Sequence, residues 1–520
     1  MHITPAISAL LLGILPEASS AKDTTNHCCS ALEKGGLANR VVYPNSGAYE
    51  KSVGSYWAEN VQLDPICIVQ PRSARDVSLA VSTLTSIENG ACKFAVRSGG
   101  HTTWAGANDI SNGVTIDLQM MNSTTYNKNN GTASILPGAR WQSVYKALAP
   151  YDVTVPGGRG GPVGVGGFLI GGGNTFHTAR VGFGCDNVEN FEVVLASGDI
   201  INANKRRHAD LYKALKGGSI NYGVVTKYEM KTIPGDKLWG GLVVYANSTT
   251  SQQLSAAHHF INNIHKDHYA SWIGMWEYSA QTDANVIAHA LEYTKPVAYP
   301  KALQNFTSIP NTTDTMRFAN MYNLTQELVQ ASGYRDVFTT GTFGNDLKVL
   351  EKTVKIHNSV IEKAKATAKS KDWTVDTIIQ PWPALFAEHS QKRGGNVLGL
   401  ERFDENLFRE SYSSFFSPFS SSSDTKTEVL FDCSWKNAAD DDLFNELARS
   451  ALKELTAYSK SIGADNEYIY LNYADGSQNP LAGYGPKNVE YIRRIAKKYD
   501  SEGVFQTQVP GGFKISEVGL

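Results

Sequence analysis

Apolar residues recur at helical spacing in some stretches and alternate or cluster as in strands in others. Between 73 and 84, Val77, Ala80, Val81 and Leu84 share one helical face, and the Ser73 hydroxyl stands at the N-cap position. Short apolar runs at 66–69, 94–96 and 114–118 predict strands, and the pattern at 141–148 predicts a helix. Two strands joined at Ser197-Gly198-Asp199 follow over 188–202, then a short helix at 210–215 and a turn at 217–223 feeding a strand. Pro234-Gly235-Asp236 marks a boundary. Beyond it, strands at 238–245, 271–278, 286–292 and 376–380 are interspersed with helical patterns near 250–268 and 347–370, which predicts an antiparallel sheet backed by helices. A helix over 440–462, a tyrosine-rich cluster at 468–475 and a helix near 486–499 complete the chain. Read as a strand, that cluster puts Tyr468, Tyr470 and Asn472 on one side and Ile469, Leu471 and Tyr473 on the other, so a bulge or strand end is needed to unite Asn472 with Tyr473. Ser411 to Ser423 reads as a surface loop, no internal repeat is present, and the fold class is α+β.

Composition narrows the class. A chain of 520 residues holds two or three domains with substantial cores. A net charge of −2 offers no basic surplus for nucleic acid and no charge block for an anionic membrane surface. Residues 1–21 read as a secretory signal: 6–15 is mostly apolar, and the following segment ends in small residues, with cleavage expected after Ala21. That run is too short to span a bilayer and no later run is long enough, so a soluble mature protein is expected. Six sequons, at Asn122, Asn130, Asn247, Asn305, Asn311 and Asn323, are expected to carry glycans. The six cysteines lack zinc-ligand spacing; one or two disulfides are expected, Cys28 or Cys29 with Cys67 or Cys92, leaving Cys185 and Cys433 as buried thiols.

The chemistry concentrates in two glycine-rich segments. Arg97-Ser98-Gly99-Gly100-His101 follows an apolar strand, and Gly157 to Gly173 answers it downstream. Glycine lets a ligand's phosphates lie against bare amide N–H groups. A histidine on such a loop can touch or bond a large anionic cofactor, and the pair of segments points to a flavin. Neither segment is a dinucleotide fingerprint in its proper context, and Gly-Lys-Ser/Thr is absent.

Taken in order, Arg97-Ser98-Gly99-Gly100-His101, Pro137-Gly138 with Trp141, the Gly157–Gly173 run, Asp186-Asn187-Val188, Asp210-Leu211 to Gly223, and Tyr470-Leu471-Asn472-Tyr473 resemble the berberine bridge enzyme-like branch of the vanillyl-alcohol oxidase/p-cresol methylhydroxylase flavoproteins. The ending, Tyr499-Asp500 through Pro510-Gly511-Gly512-Phe513, resembles the fungal members. The resemblance implies a PCMH-type FAD-binding domain over 60–235, a substrate domain over 236–455 and a return to the FAD domain over 456–520. It implies FAD joined through its 8α-methyl to His101, with Arg97, Ser98, Gly99, Gly100, Gly164, Gly167, Gly172, Gly173, Gly223, Val225, Tyr470 and Asn472 about the cofactor. Some relatives add a cysteinyl link; the position assigned to it here is Gly164, so a monocovalent flavin is expected. Phe168 stands where some relatives carry histidine.

The resemblance also makes Tyr473 the base that takes a proton as hydride leaves the substrate for the flavin. A phenol ionises near pH ~10 and needs help to do this near neutrality. Gln380, Asn396 and Trp272 are the candidate substrate residues. The expected activity is oxidation of a small organic molecule, such as a secondary-metabolite alcohol, with O2 as acceptor. A carbohydrate oxidase on the same fold and a flavin-free binding protein are the alternatives. An open groove lined by Trp and polar groups favours carbohydrate; a closed apolar pocket favours a smaller molecule.

Overall fold

The computed structural model describes residues 27–87, 90–235, 237–403 and 425–519. The signal segment and the Ser411–Ser423 stretch lie outside the described residues.

Two small sheets precede the boundary, besides a two-stranded pairing of Val153–Thr154 with Ile233–Pro234. In the first, Cys67–Val69 and Phe94–Arg97 flank Val114–Asp117 in parallel, and Val41–Val42 adds an antiparallel edge. The helix Ala74–Thr85 begins as its pattern predicts: the Ser73 side chain accepts from the Asp76 N–H, and Val77, Ala80, Val81 and Leu84 are the buried face. The second sheet is antiparallel, in the order Thr124–Asn127, Thr132–Ile135, Val224–Lys231, Val188–Val194, Ile200–Asn204. The helix Trp141–Leu148 buries Trp141, Val144, Tyr145 and Leu148.

Disulfides Cys28–Cys92 and Cys29–Cys67 tie the start of the described chain to the first sheet, within the pairing expected. Each closes a long loop of the unfolded chain, worth roughly 2–4 kcal/mol. Cys185 and Cys433 are free and buried, also as expected.

The third sheet is larger and antiparallel. Its order is Thr313–Asp314, Leu238–Ala246, Ala284–Tyr293, Ala270–Ser279, Trp373–Pro383, Thr425–Trp435, Arg335–Gly344, with Arg317–Ala319 pairing alongside Leu238–Ala246. Helices Leu347–Thr367 and Asp441–Ser461 back one face, where Val349, Ile356, Phe444 and Leu455 pack on Val375, Val429 and Phe431. The strands Arg335–Gly344 and Thr425–Trp435 carry no clean period of two. Their polar residues are buried by pairing: Thr340 donates to the Val429 carbonyl across the strands, and Thr339 to the Ala448 carbonyl of a backing helix.

One expected strand is absent. At 468–475 the backbone is extended only as far as Tyr470 and then makes a 3₁₀ turn over Leu471–Tyr473. The run finds no partner strand, and the turn supplies the change of side that Asn472 and Tyr473 require.

Candidate active site

The first two sheets and the inner face of the third enclose a cavity of about 610 Å³. One wall is the pair of glycine segments. A Cβ on Gly99 would lie 2.5 Å from the Gly164 Cα, so these loops meet backbone to backbone. The Ser98 hydroxyl fastens the junction, donating to the Pro137 carbonyl (2.5 Å) and accepting from the Gly166 N–H (3.1 Å). Gly164 N-caps the short helix Val165–Ile170, which the glycine content had hidden. Ser98, Gly99, Gly100, His101, Gly164, Gly167, Gly223, Val225, Tyr470, Asn472 and Tyr473 all line the cavity.

The other expected residues sit elsewhere. Arg97 is wholly buried beneath the loop: it donates to the Ser52 carbonyl (2.5 Å) and the Ser55 hydroxyl (2.9 Å), and its guanidinium lies 3.7 Å from the Tyr56 ring centre. It holds the loop's foundation and does not face the cavity. Gly172 and Gly173 also lie off the wall; with φ of 110° and 85° they turn the chain where left-handed backbone favours glycine, Gly173 under the Phe168 ring. Trp272 points to the opposite face of its strand, stacked on Phe306 at 5.1 Å. Strand alternation gives the cavity Ile273, Met275 and Glu277 instead. Asn396 is buried against Asp186 (3.2 Å) and away from the cavity. Gln380 is likewise buried behind the wall, where it holds another residue.

That residue is Arg159, the one charged side chain in the second glycine run. Its Nη2 donates to the Tyr473 oxygen at 2.9 Å, and its Nη1 to Gln380 Oε1 at 2.7 Å. Gln380 in turn donates to Glu428, which also accepts from Thr340. Burial pushes the Glu428 carboxyl up to about 7, against the hydrogen bonds from Thr340 and Gln380 and the charge of Arg159. Tyr470 is fixed by the Asn174 N–H (2.7 Å) and by the Asn472 amide (3.0 Å). An arginine among glycines was the available signal for Arg159; its link to Tyr473 spans 314 residues and depends on the fold.

His101 lies against Trp57, ring centres 4.4 Å apart and planes within 6°. Burial, and next the nearby Arg140 charge, hold its imidazole down to about 4, so it is neutral at ordinary pH. Trp57 contacts Phe338, which contacts Tyr473.

The opposite wall mixes apolar residues with acids. Ile273, Met275, Phe338, Ile378 and Leu430 line it together with Glu277 and Asp376. Glu277 is directly opposite Asp376, and Asp376 opposite Asp432, on adjacent strands. Burial pushes Glu277 up to about 7; burial and then the Glu277 charge raise Asp376; burial and then Asp336 raise Asp432. Sequence reasoning missed this row, though a lone acid in the apolar run Trp272–Tyr278 was visible.

These residues suit FAD. The loops are backbone-thin: a Cβ at Gly167 would meet nothing within 4 Å, while Gly99 has no room for one. A neutral histidine and a tyrosine–arginine pair lie on the same cavity. No cysteine lines it among the described residues. Gly164, packed on Gly99, has no room for a cysteine side chain.

The fold and the cavity define an FAD-linked oxidoreductase. Residues 65–204 match the family described as FAD binding domain. The FAD-dependent monooxygenase sdcF of Emericella nidulans is 48% identical over 490 residues, covering 94% of this chain and 98% of that protein. Berberine bridge enzyme-like 1 of Physcomitrella patens has the same fold, with TM-score 0.70 at 18% identity over 92% of this chain and 97% of its own. So does the glucooligosaccharide oxidase of Acremonium strictum, described with 6-S-cysteinyl, 8α-N1-histidyl FAD (TM-score 0.67, 18% identity, 92% and 97% covered). The chain belongs to the family of fungal FAD-linked oxidoreductases that includes sdcF, and it shares its fold with the berberine bridge enzyme-like proteins.

Proposed function

We propose that the protein oxidises a small, largely apolar organic substrate, with Tyr473 as base and FAD held by a single covalent link to His101. The hydrogen bond from Arg159 to the Tyr473 oxygen carries this reading. With the guanidinium donating, the oxygen is an acceptor on that side and its own hydrogen points elsewhere. Gln380 and Glu428 hold the guanidinium, and Phe338 and Tyr470 pack against the phenol ring. Bound FAD supplies the acceptor for the two electrons leaving the substrate, and O2 is the proposed terminal acceptor. The apolar residues Ile273, Met275, Ile378 and Leu430 on the strand wall, with Trp272 turned away, favour a small molecule over an oligosaccharide.

The substrate is bound against the sheet over 238–435 and the cofactor against the segments before and after it. The protein is proposed to be secreted; two disulfides and the N-terminal pattern support this. Asn122, Asn130, Asn305, Asn311 and Asn323 are exposed and Asn247 partly so, as glycan attachment requires.

Acid precipitation tests the link: the wild-type pellet should stay yellow, and His101→Ala should release its flavin. A second reading follows from the monooxygenase name of sdcF. Turnover under ¹⁸O₂ separates the two. Label in hydrogen peroxide alone supports oxidation; label in the organic product, with demand for an external reductant, supports oxygen insertion.

A further inference from the structure

Resting on the reading of His101 as the flavin's covalent anchor, the geometry points to Trp57 as the residue that positions the imidazole for attachment. Among the described residues no other residue hydrogen-bonds to the His101 ring, whose polar partner is its own main chain. A histidine that acts at one nitrogen usually has its ring fixed through the other by a carboxylate or carbonyl of the surrounding protein. Here the indole face does that work: the near-parallel stack, 4.4 Å between centres, restricts rotation about the bond to the ring without a hydrogen bond from another residue.

Trp57 is itself tightly held. Its main-chain N–H donates to the Gly100 carbonyl (2.9 Å), and its carbonyl accepts from the Gly333 N–H (2.9 Å). Ala58 bridges Tyr334 in parallel, the Glu59 N–H donates to the Tyr334 carbonyl (2.7 Å), and the Asn60 amide donates to the carbonyls of Thr103 (2.8 Å) and Asp336 (3.0 Å). Residues 57–60 therefore join the histidine loop to the strand Arg335–Gly344. The indole is buried, and its Nε1 has no hydrogen-bond partner, so its retained contribution is the ring face.

Attachment asks this ring to meet one carbon. The imidazole nitrogen forms a C–N bond to the 8α carbon; one methyl C–H bond and the imidazole N–H bond break. Two protons leave, and two electrons pass into the flavin ring system, from which dioxygen takes them with the two protons to give hydrogen peroxide. A neutral imidazole, already stacked in one plane, needs little reorganisation for this. A displacement of about 1 Å can slow such a step roughly 10²-fold.

The test compares wild type, Trp57→Phe and Trp57→Leu as purified holoenzymes. The readout is the fraction of flavin that stays with the acid-precipitated polypeptide, confirmed by flavin fluorescence in a denaturing gel. Phenylalanine keeps a face to stack on; leucine fills space without one. Wild type and Trp57→Phe should keep their flavin, and Trp57→Leu should bind FAD but lose at least about tenfold in linked flavin. Should the leucine variant not fold, Trp57→Met is measured in its place. A leucine or methionine variant linked like wild type overturns the role of Trp57 and leaves the His101 link standing. Release of flavin by wild type itself overturns both.

Discussion

The glycine wall and the strand wall face each other across one cavity, and they are built in opposite ways. On the glycine wall function comes from missing side chains: Gly99 and Gly164 touch through their backbones, and Ser98 ties the loops together. On the strand wall it comes from side chains that alternation and register bring together: Ile273, Met275 and Glu277 from one strand, Asp376 and Ile378 from the next. Where Gly99 meets Gly164, the first wall tolerates no addition. The second carries a local cost, because like charges directly opposite on neighbouring strands repel. A binding surface can keep such a cost where a packed core would remove it.

The largest effect should come from adding one methyl group to the first wall. Gly99→Ala places a carbon 2.5 Å from the Gly164 Cα, with backbone on both sides, so neither loop can yield. Loss of bound flavin or of folded protein is expected, read by the visible spectrum and circular dichroism; full yellow colour would show that the loops are not locked.

Next is Tyr473→Phe. Flavin should still bind, while the reductive half-reaction slows roughly 10²- to 10⁴-fold, the range of a lost acid–base group. An unchanged stopped-flow rate removes Tyr473 as the base. Arg159→Gln should slow the same step less, about tenfold or more, since charge-assisted support is lost while the phenol remains. If flavin reduction is unaffected, the guanidinium is only a packing element.

The smallest effect belongs to the strand wall. The Asp376 carboxyl is raised by burial and by Glu277. A raised group binds its proton more tightly when folded, so its contribution is fully favourable below the unfolded value of about 4 and is lost as pH rises through the folded value. Asp376→Asn should therefore raise Tm by a few degrees near neutral pH and hardly at all near pH 4. Equal gains at both would mean that repulsion in the acid row is not the cause. Weaker turnover in the stabilised variant would mark the row as functional.

Three buried neutral histidines act in the opposite sense. Burial holds His177, His289 and His357 near 3. Each is depressed on folding, so its stability contribution is present above about pH 6.5 and is lost as pH falls toward the folded value. Acid unfolding is expected to begin below about pH 6 in a thermal-shift series, and His289→Phe, away from the cavity, should delay it.

Local pattern carried far in this chain. The capped helix after Ser73, the helices Trp141–Leu148 and Pro486–Tyr499, the four cysteines that pair and the glycine–histidine loop all follow from short-range rules of period, capping and backbone freedom. The ring of residues around the chemistry did not follow. Arg159 meets Tyr473 across 314 positions, and Trp57 reaches His101 from the start of the chain. Trp272 and Glu277 lie on one strand but opposite faces, and only the packed sheet decides which face meets the cavity. Arg97 looked like a cofactor residue beside the loop and is its buried foundation, because a guanidinium among the Ser52 carbonyl, the Ser55 hydroxyl and the Tyr56 ring is better satisfied there than in a cavity. Sequence by itself determined many of the elements, which four cysteines pair and the class of cofactor, since each depends on residues near one another or on the freedom of glycine. Tertiary structure alone decided which side chains surround the reacting centre, because that depends on contacts between segments whose order along the chain says nothing of their distance in space.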